Sequence, residues 1–217
     1  DQGFLARRFN YGTLVLRDGA NNKLGQIHNV ASPALTADQI QELVDPPAVT
    51  PSELTDSTPQ ELVAAGEGQY VEFKSSLLWD YRQERVNKDL YEPVMKNVTA
   101  FLNSRGGILL IGVADDGTIL GLESDLHSLK QPDLDRWELV FNNAFNAMIG
   151  VQYRRFVELA FPTIEDKVIC AVNVRPGTKP AYLMQKNTEH FYIRAGNGTQ
   201  PLSLSKATEY ILDQFEG

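Results

Sequence analysis

Apolar and polar positions alternate along residues 11–30, YGTLVLRDGANNKLGQIHNV, on either side of a Gly/Asn-rich centre. That two-residue period with a turn at its middle predicts a β-hairpin. The period then lengthens: in TADQIQELV, Thr36 stands as an N-cap and Ile40, Leu43 and Val44 share one helical face. DPPAVTPSELTDSTP follows, with four prolines in fifteen residues, and reads as a linker. Beyond it, Thr58, Pro59 and Glu61 form a capping box that opens a short helix through Ala65. QYVEFKS is a strand by its Tyr, Val and Phe content. Residues 87–103 carry Leu90, Val94, Val98, Phe101 and Leu102 at helical spacing. Gly106-Gly107 ends that helix and feeds ILLIGVA, a continuous apolar run of the kind found in buried central strands. After a turn at DDGTILG and a short strand, a helix over 132–149 presents Leu139, Phe141, Phe145 and Met148. Strands are predicted at 151–161, at 168–174 and as a pair within 181–194, and Ser203 or Ser205 caps a last helix ending near Phe215.

Helices and strands mix here without a regular βαβ repeat, so the expected class is α+β with a mixed sheet flanked by helices. The linker divides the chain into a hairpin-and-helix appendage (1–45), a Pro/Ser/Thr linker (46–59) and a main domain (60–217). Composition changes this picture little: 42% hydrophobic and 22% charged residues describe an ordinary globular chain. No apolar run reaches the roughly 18–20 residues of a membrane span, and no leader pattern stands at the first residues, so cytoplasmic residence is expected. Cys170 is alone, within KVICAVNV, and reads as a small core residue. The net charge of −8 argues against a protein that coats nucleic acid, and less against one whose positive charge is local.

Most chemical motifs are absent. The Gly-Gly pair follows a helix and precedes a strand, the reverse of a dinucleotide loop. No G-x-x-x-x-G-K-[ST] run occurs, and His28, His127 and His190 have no partner at zinc-ligand spacing. One constellation remains. Glu72 and Lys74 share a face of their strand, Glu67 stands just before it, and Asp115 falls where the apolar run 108–114 gives out. If those two strands are neighbours, three carboxylates meet at one sheet edge. Such hard oxygen ligands suit Mg²⁺ or Mn²⁺, and Lys74 could then touch a scissile phosphate. The spacing alone equally describes a loop carboxylate, an exposed strand pair and an Asp-Gly turn.

YVEFKSS, VTAFLNSRGGILLIGVADDGTILGL and FYIRAGNGTQPLS resemble, in order, the three blocks of the Schlafen family's AlbA-type domain. Those blocks are an E-x4-E-F-K run, an A-F-x-N-x-x-G-G-x-L-x-I-G-V-x-D segment and a Y-x-R-x-G-x-S/T segment. The resemblance spans about residues 60–215. It implies a nucleic-acid-related α+β fold. In the nucleases of the family it implies a metal-dependent endoribonuclease acting on tRNA or structured RNA through three acids, which fall on Glu67, Glu72 and Asp115, with Lys74 in the E-F-K run. Arg154, Arg155, Arg175, Lys179, Lys186 and Arg194, interleaved with Tyr153, Tyr182 and Tyr192, are expected to contact nucleic acid by phosphate pairing and stacking, RNA in preference to DNA. Because the vertebrate Schlafen core resembles two such lobes, a single-lobed chain is expected to be a homodimer. Two other readings stay open: a non-catalytic DNA- or RNA-binding module of a transcriptional regulator, and a dimerisation or sensor module that recruits a protein partner through residues 1–45.

Overall fold

The computed structural model describes residues 57–215 together with three strands near the start of the chain. The chain forms two compact units, Asp1–Thr50 and Pro51–Gly217. In the first, β1 (Arg7–Phe9), β2 (Thr13–Arg17) and β3 (Lys23–Ile27) form an antiparallel sheet in sequence order. The β2–β3 pair carries the alternation seen in residues 11–30, with a register irregularity between Leu16 and Arg17. The helix expected at Thr36 and most of the proline-rich linker lie outside the described residues.

The second unit opens with α1 (Pro59–Ala65), whose capping box forms as the sequence predicts. Thr58 accepts from the Glu61 N–H, and the Glu61 carboxylate accepts from Thr58 N at 2.7 Å. A four-stranded mixed sheet follows in the order β4-β7-β11-β8, built from β4 (Val71–Lys74), β7 (Gly107–Ile111), β8 (Val157–Ala160) and β11 (Cys170–Val174). β4 runs parallel to β7 with Val71 opposite Ile108, and the other two pairings are antiparallel. The strands of Glu72 and of the apolar run 108–114 are therefore adjacent, the condition set for a shared sheet edge. An α+β fold with a mixed sheet is what the chain adopts.

Between β4 and β7 lie a two-stranded hairpin, β5 (Trp79–Asp80) with β6 (Arg85–Val86), a 3-10 turn (Lys88–Leu90) and α2 (Tyr91–Leu102). α2 buries Val94, Met95, Val98, Phe101 and Leu102, the stripe its spacing predicts. α3 (Glu123–His127) and α4 (Leu134–Met148) follow β7. α4 buries Trp137, Phe141, Ala144 and Phe145, whereas Leu139, expected in the core, is 45% exposed. Residues Val151–Phe156 form a 3-10 helix rather than the expected strand; Gly150 breaks the chain at φ 118 and its carbonyl accepts from Tyr153 N, so pairing begins only at Val157. A small hairpin, β9 (Thr163–Ile164) with β10 (Lys167–Val168), precedes β11. A second sheet, β12 (Leu183–Gln185), β13 (Thr188–Ala195) and β14 (Gly198–Leu202), closes with α5 (Leu204–Phe215).

Every residue of β7 is buried, because both sheet faces are covered. Leu109 and Ile111 join Val172 and Val174 against α2 and α4, while Ile108 and Leu110 meet Val71, Phe73, Ile164, Ile169 and Leu62 on the other face. Cys170 is fully buried, and that burial pushes its thiol well above the usual value, as fits a core residue. Among the described residues no helix is long and apolar enough to cross a membrane.

The glycine pair between α2 and β7 is dictated by space. Gly106 has φ 81, donates its N–H to Phe101 O at 3.1 Å, and leaves only 2.5 Å between an added Cβ and Val174 O. At Gly107 a Cβ would run into the Phe101 ring and stand 2.7 Å from Tyr70 O. Gly107→Ala therefore overpacks the crossing of α2 and β7. Urea denaturation should show a loss of about 1–3 kcal/mol with the slope unchanged.

Candidate functional site

The parallel pair β4–β7 ends in a cleft, the place where open sheets leave room for ligands. Lys74 closes β4, Asp115 stands four residues beyond Ile111, and both line this cleft of roughly 390 Å³. The segment after β4 supplies the opposite wall, with Trp79, Tyr81 and Arg82, and the start of α2 supplies Leu90 and Pro93.

A buried carboxylate fixes that wall. Asp125, 2% exposed, accepts from Leu77 N at 3.0 Å, Leu78 N at 3.1 Å, Trp79 N at 2.9 Å and Trp137 Nε1 at 2.9 Å, and also from the Ser76 hydroxyl. Donors on every side satisfy this buried carboxyl group. Asp80 then shapes the tip of the hairpin, accepting from Arg82 N and Gln83 N at 3.0 Å and from Asn87 Nδ2 at 3.0 Å. The Asn87 amide, with Gln83 N–H next, holds the Asp80 carboxyl below its usual range, so it stays ionised. Burial pushes the Tyr81 phenol up, against a hydrogen bond to Ser124 and with smaller effects from the Asp125 and Glu123 carboxylates; the half-buried Tyr91 is raised by burial and by Asp125.

Glu72 faces α2, on the opposite side of β4 from Val71 and Phe73. Its Oε1 accepts from Lys74 Nζ at 2.7 Å and Asn97 Nδ2 at 3.1 Å, and its Oε2 accepts from Arg194 Nη1 at 2.9 Å. The Arg194 side chain is 1% exposed. It donates further to Gly68 O at 2.5 Å, Gln69 O at 3.3 Å and Thr199 Oγ1 at 3.2 Å, and lies over the Phe101 ring at 5.0 Å. Thr199 Oγ1 in turn donates to Asn97 Oδ1 at 2.5 Å. One network thus ties together β4, α2, β13 and β14.

Glu67 is exposed and turns away from this network. Its Oε1 accepts from Phe73 N at 2.8 Å, capping an N–H on the edge of β4 that does not face β7. Asp115 is exposed and makes no hydrogen bond or ion pair among the described residues. Asp116 and Gly117 form the expected turn, with Asp116 Oδ1 accepting from Thr118 N at 2.9 Å. The structure brings Glu72 and Lys74 together, and Lys74 and Asp115 into one cleft. It does not gather Glu67, Glu72 and Asp115: among the described residues no three His, Cys, Asp or Glu side chains could hold a metal ion. Glu72, with both oxygens engaged by cations and an amide, does not fit the ligand role expected of it for Mg²⁺ or Mn²⁺.

The residues expected to contact nucleic acid stand in different surroundings. Arg194 is buried and neutralises Glu72, so it is not available to a phosphate. Tyr192, 7% exposed, donates its hydroxyl to Gln185 Oε1 at 3.3 Å and carries Lys96 over its ring, so it is no stacking platform. Arg154 clamps the 3-10 turn to α4, donating to Asn142 Oδ1 at 2.7 Å and to Val157 O, with Glu138 at 3.6 Å. Arg155 is exposed with its guanidinium over Phe156, while Lys179 and Lys186 are exposed on separate loops. Of these residues Tyr192 and Arg194 lie in β13, Arg154 and Arg155 in the 3-10 helix, and Lys179 and Lys186 outside the strands. Trp79, Tyr81, Arg82 and Asp125 were missed by sequence reasoning. WDYR mixes aromatic and basic residues and could have been noticed; Asp125 offered no local sign.

The family description "Schlafen, AlbA_2" matches residues 67–203, well over half of the chain, and the protein belongs to this family. No curated protein sequence matches it. Among solved structures it is similar to the DIP2311 protein from Corynebacterium diphtheriae, at 20% identity and a TM-score of 0.47, over 67% of this chain and 24% of that one. It is also similar to the N-terminal domain of an ATP-dependent DNA helicase RecG-related protein from Nitrosomonas europaea, at 20% identity and a TM-score of 0.42, over 68% of this chain and 95% of that domain. The chain thus spans about a quarter of the length of the first of these.

The Arg194 network yields a direct test. Truncating Arg194 leaves Lys74 as the one cation on Glu72, unpairs its Oε2 in a largely buried position and leaves the Gly68 and Gln69 carbonyls without their donor. Arg194→Ala should lose about 3–5 kcal/mol in denaturant unfolding. Arg194→Lys should recover only part of that, since an ammonium cannot span the same acceptors.

Proposed function

We propose that this domain binds single-stranded nucleic acid, RNA in preference to DNA, in the cleft at the end of β4 and β7. Family membership supports a nucleic-acid-related role. The observation that carries the reading is that one cleft combines the aromatic rings of Trp79 and Tyr81 with the cations Lys74 and Arg82. An aromatic face accepts any base by stacking, and neighbouring cations meet the backbone phosphate. Tyr81 is 39% exposed and held by a hairpin whose turn is fixed, so stacking costs little ordering. Lys74 Nζ has three N–H groups; Glu72 Oε1 and Phe73 O take two of them, leaving one for a ligand oxygen. Asp115, unpaired at the rim, can accept from an exocyclic amino group of a base. The chain's net −8 then limits binding to this local site rather than to a coating surface.

Fluorescence polarisation with labelled single-stranded RNA and DNA oligonucleotides, in Mn²⁺ or in chelator, tests this reading. Binding should persist in chelator and favour RNA. Tyr81→Ala should weaken it by roughly 5- to 100-fold, the range of one stacked base. Arg82→Ala should lower affinity and reduce the salt slope by about 0.7. Unchanged affinity in both variants would refute the cleft as the binding site. Mn²⁺-dependent cleavage of the RNA, abolished by Asp115→Asn, would replace this reading with the metal-dependent endoribonuclease.

A further inference from the structure

A second pocket, sharing no lining residue with the cleft, lies at the C-terminal end of α4. Its volume is about 230 Å³, below the ~300–1,000 Å³ usual for whole small-molecule ligands and suited to one side chain. One wall is the last turn of the helix, Asn146 to Ile149, and the other is the β12–β13 hairpin with Tyr182, Met184 and Glu189. Met184 and Glu189 are directly paired across the hairpin, so they stand side by side on one face. Tyr182 lies two residues before Met184 and shares its outward direction; each is 38% exposed.

Two features, the end of the helix and a carboxylate, make this pocket electronegative. Phe145 O accepts from both Ile149 N, at 2.8 Å, and Gly150 N, at 3.1 Å. Gly150 N is thereby diverted from Asn146 O, and the carbonyls of Asn146, Ala147 and Met148, at the end of the helix, have no backbone donor among the described residues. The helix has fifteen residues and no basic residue in its last turn to offset the negative pole. Glu189, finally, makes no hydrogen bond or ion pair among the described residues and sits in the same pocket. Beside these acceptors stand the Tyr182 ring and the flexible thioethers of Met148 and Met184.

We propose that this pocket receives an arginine side chain of a protein partner. An arginine stem lies along the methionines, its planar guanidinium stacks on Tyr182, and its N–H groups fan out to Glu189 and the helix carbonyls. A lysine head, a compact and strongly hydrated ammonium, matches a planar ring and a spread of acceptors less well. The negative charge of the pocket suits a basic segment of the partner, and the flanking Val151, 70% exposed, offers that segment apolar surface beyond the pocket.

Titration of the ¹⁵N-labelled protein with N-acetyl-arginine methylamide provides the test, with N-acetyl-norleucine methylamide and free arginine as comparison arms. Saturable millimolar shifts are expected at the amides of residues 146–152 and 182–189. Glu189→Gln, at an exposed position whose side chain makes no hydrogen bond or ion pair among the described residues, should weaken binding by roughly tenfold, and Tyr182→Ala by roughly fivefold. Oligonucleotide binding in the cleft should be unchanged in both variants. Absence of saturable shifts, or affinity unaffected by Glu189→Gln, overturns the proposal. Norleucine binding as well as arginine would show a merely apolar pocket, and free arginine binding more tightly than the capped form would show a small-molecule site; either result refutes the partner.

Discussion

The pairing of Arg194 with Glu72 is the contact on which the rest of the domain depends. The guanidinium is 1% exposed, and the carboxylate retains 14%. Two charges in such a place contribute little net stability compared with apolar residues, since desolvation offsets most of their attraction. What they provide is position. Arg194 reaches Glu72 on the edge strand of the main sheet, the carbonyls of Gly68 and Gln69 at its entrance, and Thr199 on the next strand of the second sheet. A shift of β13 by one residue would turn Arg194 to the other face and leave Glu72, largely buried, with Lys74 as its one counter-charge. The network therefore fixes the register between the two sheets.

Asn103 works beside it by the same logic. It follows α2, is fully buried, donates to Ala181 O at 2.8 Å and Tyr192 O at 2.9 Å, and accepts from Ala181 N at 2.7 Å. Ser104 Oγ accepts from Arg194 N at 2.9 Å. The end of α2 is thereby stitched to β12 and β13, while Gly106 and Gly107 let β7 leave beneath it. The cleft inherits this rigidity. Lys74 is placed by Glu72, and the opposing wall is placed by Asp125, so both sides of the opening are set by buried carboxylates from different parts of the chain.

Much of this architecture is legible in the sequence because it rests on local periodicity. The run ILLIG reads as a buried strand, the stripe from Val94 to Leu102 reads as a helix, and the capping box at Thr58 marks a helix start. Each depends on neighbours within a few residues. The failures share a cause. Residues 151–156 have the composition of a strand, and the 3-10 turn there follows from the backbone at Gly150 and from the Arg154 clamp, both set by packing on α4. The role of Arg194 lies with a partner 122 residues away, and that of Asp125 with donors 46 to 49 residues away. Charge and residue type alone do not separate a phosphate contact from an internal counter-ion.

The acids of the family blocks divide accordingly. Glu67 satisfies an edge N–H of β4, which also blunts that edge against pairing with another strand. Glu72 is the counter-charge of Arg194. Both thus have structural roles that would hold whether or not the domain performs any chemistry. Asp115 alone has no structural partner among the described residues, and it stands in the cleft with Lys74. A hard divalent cation needs several oxygen ligands at once, whereas a single carboxylate suffices to accept from a base. Freeing Glu72 for a metal would require Arg194 to find another anion inside the protein, and no other carboxylate among the described residues contacts it. The motif's acids Glu67 and Glu72 and its arginine thus serve the walls of the cleft that Tyr81, Arg82 and Lys74 line.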